Sequence, residues 1–167
     1  YWQISMKIAF NMKTHNILSI DKFKSIIGRN SRLIGIDPGE KNIGISICDE
    51  NQMVATPFKT IRKTTLESLL NEINLIINEN EIMGIVVGNP INMDGSLGKS
   101  SQSASDFCKN LSKSITIPIT MWDERLSSEA SFKFTREIGK NTSATVRNID
   151  MNAAAFILQG AIDYFSN

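Results

Sequence analysis

Nitrogen and sulfur ligands are scarce in this chain: its 167 residues hold one histidine, His15, and two cysteines, Cys48 and Cys108. A metal cluster of the Cys/His type is therefore excluded, and His15 reads as a surface residue. The two cysteines lie far apart, one in a strand-like run and one on a helix-like apolar face. They fit a reduced compartment as small core residues, and their spacing suggests no disulfide framework. Long apolar runs are missing as well. The longest uncharged stretches, such as Ile82 to Met93, fall short of the roughly 18 residues that a bilayer-spanning helix needs. The opening YWQISMKIAFNMK is mildly apolar, but Lys7 interrupts it and no small-residue cleavage site follows. Neither secretion nor a membrane is expected, and a cytoplasmic protein is. An excess of one charge is also lacking: 18 Lys and Arg against 17 Asp and Glu leave a net +1, which does not by itself mark a nucleic-acid binder.

What remains is the balance of an ordinary globular protein, with 41% hydrophobic and 21% charged residues in a length that suits one core. Residues 1–31 read as an N-terminal extension, partly disordered. Its one organised piece is the amphipathic stretch IDKFKSII, ended by Gly28. Residues 32–167 read as the domain. RLIGID (Arg32 to Asp37) is an apolar strand ending in an acid, PGEKN is a turn, and IGISICDE (Ile43 to Glu50) alternates as a strand. Asn51-Gln52 turns it into MVATPFKTI, which completes an antiparallel meander. A helix follows, with Thr64 and Glu67 as a capping box and Leu66, Leu69, Leu70, Ile73, Ile76 and Ile77 at helical spacing. IMGIVVG is a short apolar strand of the kind buried on both faces. The glycine-rich NPINMDGSLG leads into a helix marked by Ala104, Phe107, Cys108 and Leu111. ITIPITMW is a further strand, and its Pro118 argues for a sheet edge. SSEASFKFTREI reads as a helix closed by Gly139, KNTSATVRN as a mobile loop, and IDMNAAAFILQGAIDYF as a largely buried helix.

Two of the five strands arrive through helices and so run parallel to the first by right-handed crossovers. The expected sheet is mixed, in the order 3-2-1-4-5 with strand two antiparallel. Ligands in such sheets bind beyond the carboxyl ends of strands where the chain changes direction. Three features converge there: strand one ends in Asp37, strand four runs into Gly88-Asn89-Pro90, and strand five runs into Asp123-Glu124-Arg125. Carboxylates at one sheet rim repel each other unless a cation lies between them, and acids without His or Cys favour a hard ion, Mg²⁺ or Mn²⁺. Asp150 on the last helix shares a stripe with Ala154, Ile157 and Ala161 and would add a third acid. Each acid has a plainer reading too. Asp37 can cap the turn before Pro38-Gly39, Glu124 can be a surface acid, and Asp150 can be a first-turn acid behind an Asn148 cap. From Arg125 to Arg147, five bases (Arg125, Lys133, Arg136, Lys140, Arg147) stand against Glu129 and Glu137, which suits a solvated face as well as a phosphate-contacting one.

IGIDPGEKNIGIS resembles the opening motif of the YqgF family, once called Holliday junction resolvases and now associated with maturation of the small-subunit ribosomal RNA precursor. VVGNPINMDGSLG, DERLSSEA and IDMNAAAFILQ resemble that family's glycine-rich loop, its Asp-Glu-Arg-Leu motif and its final Asp-bearing helix. The four motifs keep the family order and cover about residues 32 to 165. The resemblance implies a ribonuclease H-like fold and a two-metal phosphodiesterase whose acids, catalytic and metal-binding, are Asp37, Glu124 and Asp150, with Asp123 a weaker neighbour. It implies Mg²⁺ or Mn²⁺ as cofactor, substrate contacts from Lys41, Gly88, Asn89, Ser96, Arg125, Arg136 and Arg147, and Gly39 and Gly44 permitting a tight hairpin. Its implied activity is processing of the 5′ end of pre-16S rRNA, with RNA favoured over DNA and an association with ribosome precursors. A DNA junction resolvase or an inactive binding module are the alternatives, and the actin-like ATPases, which open on a similar hairpin, would need a second lobe. Departures are Asn42 where the family has Arg, Asn89 where an apolar residue is usual, and Ser127-Ser128 for threonines.

Overall fold

The computed structural model describes residues 16–90, 94–126 and 149–167. The meander forms as expected: β2 (Arg32–Pro38), β3 (Asn42–Cys48) and β4 (Ala55–Arg62) pair antiparallel in sequence order. Helix α2 (Leu66–Glu79) then leads to β5 (Ile82–Asn89), and α3 (Lys99–Ser114) leads to β6 (Ile119–Asp123). β5 is parallel to β2, and β6 is parallel to β5. A turn of 3₁₀ helix, Glu124–Leu126, follows β6, and the chain closes with α4 (Ile149–Ser166).

The five expected strands lie in the expected order, but a sixth flanks them. Ile17–Leu18, β1, pairs parallel with β6, and the full order is β1-β6-β5-β2-β3-β4. Two residues well ahead of the anticipated start at Arg32 thus belong to the sheet. Helix α1 (Ile20–Ile26) begins at Ser19, whose side chain accepts from Lys22 N, and it sends Phe23 fully into the core. Asn16 fastens this segment: its side chain donates to the carbonyls of Ile115 and Ile117 and accepts from Ser112. β6 is therefore an interior strand, contrary to the inference from Pro118. That proline lies one residue before the strand, where no ladder donor is needed, and its carbonyl accepts from Ile85 N.

Side chains of the sheet alternate between two apolar layers. Ile34, Ile36, Ile43, Ile45, Ile85, Val87 and Ile119 pack with α2 and α3, while Leu33, Val86 and Trp122 pack with α4 and Phe23 of α1. Each helix buries the stripe its spacing predicts: Leu69, Ile73, Ile76 and Ile77 on α2, and Ala104, Phe107, Cys108 and Leu111 on α3. The cap of α2 is Thr65, which accepts from Ser68 N, and not Thr64. Leu66, placed in its apolar stripe by spacing, is exposed in the first turn. Both cysteines are free and buried. The helix and loop expected within residues 127–148 lie outside the described residues.

α4 lies unusually close to the sheet because the strands beneath it carry small residues. Ser46 donates to the carbonyl of Ala154 at 2.7 Å, and a Cβ on neighbouring Gly35 would collide with Ala154 and Leu158. Further along, Gln159 accepts from Ala55 N and donates to the Met53 carbonyl, tying the helix to the start of the outer strand β4. Gln159→Ala would orphan the buried Ala55 N–H, so we expect a loss of about 2 kcal/mol. A lower urea midpoint at unchanged slope would register it, and an unshifted midpoint would show that the tie contributes nothing.

Candidate active site

Register brings the three acids to one end of the sheet. Asp37 lies opposite Gly44 in the β2–β3 ladder, and on the other side Ile36 pairs with Val87, which places Gly88 beside Asp37. Gly88 in turn pairs with Trp122, and Asn89 with Asp123. Alternation then sorts the adjacent acids. Trp122 packs in the α4 layer, so Asp123, the last residue of β6, turns to the other face, while the 3₁₀ turn that follows brings Glu124 back to the α4 side, where Gly88 and Ile157 meet. Glu124 sits over the bare backbone of Gly88, where a Cβ would meet its Oε1 at 3.0 Å. The backbone of Asp150, in the first turn of α4, rests on Gly44 so closely that any Cβ there would overlap its carbonyl. Gly44 is therefore required by close approach of the helix and not by the hairpin turn, which is made at Gly39, whose N–H donates to the Asp37 carbonyl.

The electrostatics agree with this placement. Burial, reinforced by the charge of Asp150, pushes the Asp37 carboxyl up from 3.8 to about 6. Burial also raises Glu124, with added repulsion from Asp37 and Asp123. Among the described residues, neither Asp37 nor Glu124 has an ion pair or side-chain hydrogen bond to offset that cost. Asp123 is the opposite case: the Arg125 guanidinium grips both its oxygens, at 2.7 to 3.2 Å, and holds it below the usual carboxylate range. Arg125 thus secures an acid on the outer face. Its partnership also reaches the glycine-rich loop, where Gly95, at φ +85°, stands 3.6 Å from the Arg125 guanidinium by the measure of an added Cβ.

Other expected contacts have local partners. Asn89 Oδ1 accepts from Ser101 Oγ at 2.8 Å, which ties the end of β5 to the first turn of α3. Ser96 N donates to Asp94 and shapes the glycine-rich loop. Lys41 is exposed on the hairpin turn, and its carbonyl accepts from Lys63 N. Arg136 and Arg147 lie outside the described residues. No sequence signal points to Gln159 or Asn16. Ser46 leaves a trace, as a hydroxyl interrupting an isoleucine-rich strand.

The donor chemistry fits a hard divalent cation: oxygen ligands only, two of them half-buried and mutually repelling, with no positive charge paired to them among the described residues. Among the described residues no three His, Cys, Asp or Glu side chains are yet drawn together as a ready cage. An ion would have to gather them.

A mixed sheet of this order, with acids gathered at the carboxyl ends of β2 and β6, is a ribonuclease H-like fold. Two solved structures of T. thermophilus RuvC share the fold. The one in complex with a Holliday junction substrate gives a TM-score of 0.54 at 12% identity, covering 80% of this chain and 94% of that one. The other gives 0.53 at 12% identity, covering 80% and 93%. Residues 31–164 match the family model described as RuvX, Holliday junction resolvase, and the chain belongs to that family. A relative from Pelagibacter ubique named "Putative pre-16S rRNA nuclease" is 53% identical over 151 residues, covering 90% of this chain and all of its own length. One of the same name from Rhodobacter capsulatus is 40% identical over 144 residues, covering 86% and 91%.

Proposed function

We propose that this protein is a divalent-metal-dependent endonuclease of the cytoplasm that processes the 5′ end of the pre-16S ribosomal RNA, in association with ribosome precursors. The observation that carries the reading is the convergence of Asp37, Glu124 and Asp150 at one sheet rim, with two of them half-buried and lacking any counter-ion among the described residues. These acids would hold Mg²⁺ or Mn²⁺, which when bound supplies an activated water and stabilises the charge on the leaving oxygen. The chain's own contribution is placement. Gly88 leaves Glu124 room to lie flat across β5, Gly44 lets α4 bring Asp150 down to Asp37, and the Asp123–Arg125 pair pins the end of β6. Lys41, Arg136 and Arg147 would meet phosphates along the strand, and such contacts position the backbone without reading sequence. RNA is favoured over DNA by the names of the relatives, which together span most of this chain.

Cleavage of an RNA carrying the pre-16S 5′ leader should appear with Mg²⁺ or Mn²⁺, be weak with Ca²⁺ and vanish in chelator. Ca²⁺ takes longer oxygen bonds and a looser geometry, and does not maintain a two-metal spacing. Full activity in excess chelator would end the metal reading.

A second reading, resolution of four-way DNA junctions, is favoured by the family's description and by the shared fold. Cutting two strands symmetrically needs a twofold dimer. A monomeric solution mass together with preference for the RNA over a matched junction would exclude it.

A further inference from the structure

We propose that the cleft between the β2–β3 turn and the start of α3 is a phosphate-binding site, in which Lys63 and Lys99 hold a backbone phosphate of the strand being cut. The proposal rests on the nuclease reading and extends it to the path of the substrate.

The cleft borders the acid site through Asp37, which lines it together with Pro38, Gly39 and Pro90, with Ser100 and Ser103 of α3 across from them. Its two bases come from separate elements. Lys63 stands just past β4, with its backbone fixed by the bond from its N–H to the Lys41 carbonyl, and Lys99 is the first residue of α3. Both are exposed, and among the described residues neither side chain forms an ion pair or a hydrogen bond. Other lysines are engaged: Lys59 pairs with Glu72 at 3.7 Å, and Lys24 donates to the carbonyl of Asn167. Glu40 also lines the cleft and opposes an anion, yet neither lysine pairs with it. With Asp37 engaged at the acid site, the two lysines outweigh Glu40. α3 begins at this cleft with Gly98 as its cap, which offers its first-turn amides no side-chain acceptor, so the local field adds to the attraction for an anion. Ser100 and Ser103 complete the lining with residues able to donate to a phosphate oxygen. A second groove shares Lys63 and Ser103 and is lined beyond them by Thr64, Thr65 and Asn110 together with the apolar Leu66, Leu69 and Phe107. Its acid, Asp106, opposes an anion there, so the phosphate contact is assigned to the Lys63–Lys99 cleft alone.

The test compares the double variant Lys63→Gln/Lys99→Gln with Lys109→Gln/Lys113→Gln, a charge-matched pair near the other end of α3, with the helix rise placing Lys113 about 20 Å from Lys99. Binding of a fluorescein-labelled single-stranded RNA of the pre-16S 5′ leader is read by anisotropy in chelator across a salt series, and cleavage is read separately in Mn²⁺. The cleft variant should bind about tenfold more weakly at low salt, and its log–log salt slope should fall by about 0.7 for one lost single-strand phosphate contact. In cleavage its KM should rise by a similar factor with kcat nearly unchanged, and the control pair should match the wild type. Binding and slope equal to those of the control would overturn the phosphate site. A wild-type protein that binds RNA but never cuts it would count against the nuclease reading instead, and the anisotropy comparison would still decide the cleft.

Discussion

Asp37→Asn is expected to abolish cleavage, by about a thousandfold or more or ~4 kcal/mol of barrier, while making the metal-free protein more stable at neutral pH. The two effects share one cause. Burial and the charge of Asp150 raise this carboxyl from 3.8 to about 6 in the folded protein, so folding takes up a proton between those values. Below pH 4 the group is protonated in both states and costs little. As pH rises through the window the folded state must ionise against its surroundings, and stability falls until about pH 6, where the penalty levels off. A carboxyl raised that far in the folded state costs roughly 2–3 kcal/mol once it is ionised. Asparagine keeps the shape and carries no charge, so in chelator it should recover an amount on the order of 2 kcal/mol at pH 7.5 and almost none at pH 4. Urea unfolding of both proteins at the two pH values decides the matter. Millimolar Mg²⁺ should then stabilise the wild type and leave the variant unmoved, because only a species that binds the folded state shifts the equilibrium. A variant weaker than wild type at pH 7.5, or a difference that ignores pH, would mean that Asp37 is a turn-capping acid and not a repelled ligand.

Why the burden falls on Asp37 could not be read from the chain. Helical spacing places Asp150 on the inward stripe with Ala154, Ile157 and Ala161, and those three are indeed buried. Yet Asp150 sits in the first turn of α4, at the end of the sheet, whereas Asp37 lies within the β2 ladder between Gly44 and Gly88. Periodicity reports which face a residue takes and says nothing about how deep along an element the packing reaches. The strand order was legible for the complementary reason: tight turns force antiparallel neighbours and helical crossovers force parallel ones, leaving little choice once the segments are recognised. Ile17–Leu18 escaped because two residues carry no period. Their strand exists through a bond from Ile119 N to the Asn16 carbonyl and through the side-chain bonds of Asn16. Pro118 misled because a proline marks a missing donor, and the donor is equally dispensable one residue before a strand. Among the candidate contacts, Asn89 shows the limit of motif transfer. It stands where the resemblance leads one to expect an apolar residue, and its amide oxygen is taken by Ser101.

The adjacent acids Asp123 and Glu124 illustrate how one register decides chemistry. Both stand at the end of β6, and composition cannot rank them. Alternation from buried Trp122 sends Asp123 to the other face, where it meets Arg125 and is neutralised, while the 3₁₀ turn that opens at Glu124 carries that acid to the face where Gly88 has no side chain. A carboxylate with its own guanidinium has little left to offer a metal, and one without is poised to accept it. The glycine near the end of β5 therefore has a packing role. Gly88 makes space for the acid that follows β6.

Gly44→Ala should be the most damaging added methyl among the described glycines. The strand backbone there is extended and tolerates any residue, so conformational freedom is not at issue. The new Cβ would occupy the position of the Asp150 carbonyl, and backbone cannot swing aside as a side chain would. α4 must lift or tilt at its first turn, carrying Asp150 away from Asp37 and straining the Ser46–Ala154 hydrogen bond one turn further on. Overpacking of this kind costs about 3 kcal/mol, and a displacement of about 1 Å at a reacting centre costs on the order of a hundredfold in rate. Gly28→Ala is the matched control, since a Cβ there would meet only the Ser31 hydroxyl at 3.8 Å, an ordinary contact. Urea melts and Mn²⁺-supported cleavage should separate the two variants, with Gly28→Ala close to wild type in both. The Asp37 carboxyl offers an independent readout, because moving Asp150 away removes one of the two causes that raise it. Its titration, followed by carboxyl NMR in chelator, should shift downward in Gly44→Ala and stay at about 6 in Gly28→Ala. If Gly44→Ala keeps full stability, full activity and an unchanged Asp37 titration, the approach of α4 to β3 is not what brings the third acid to the site.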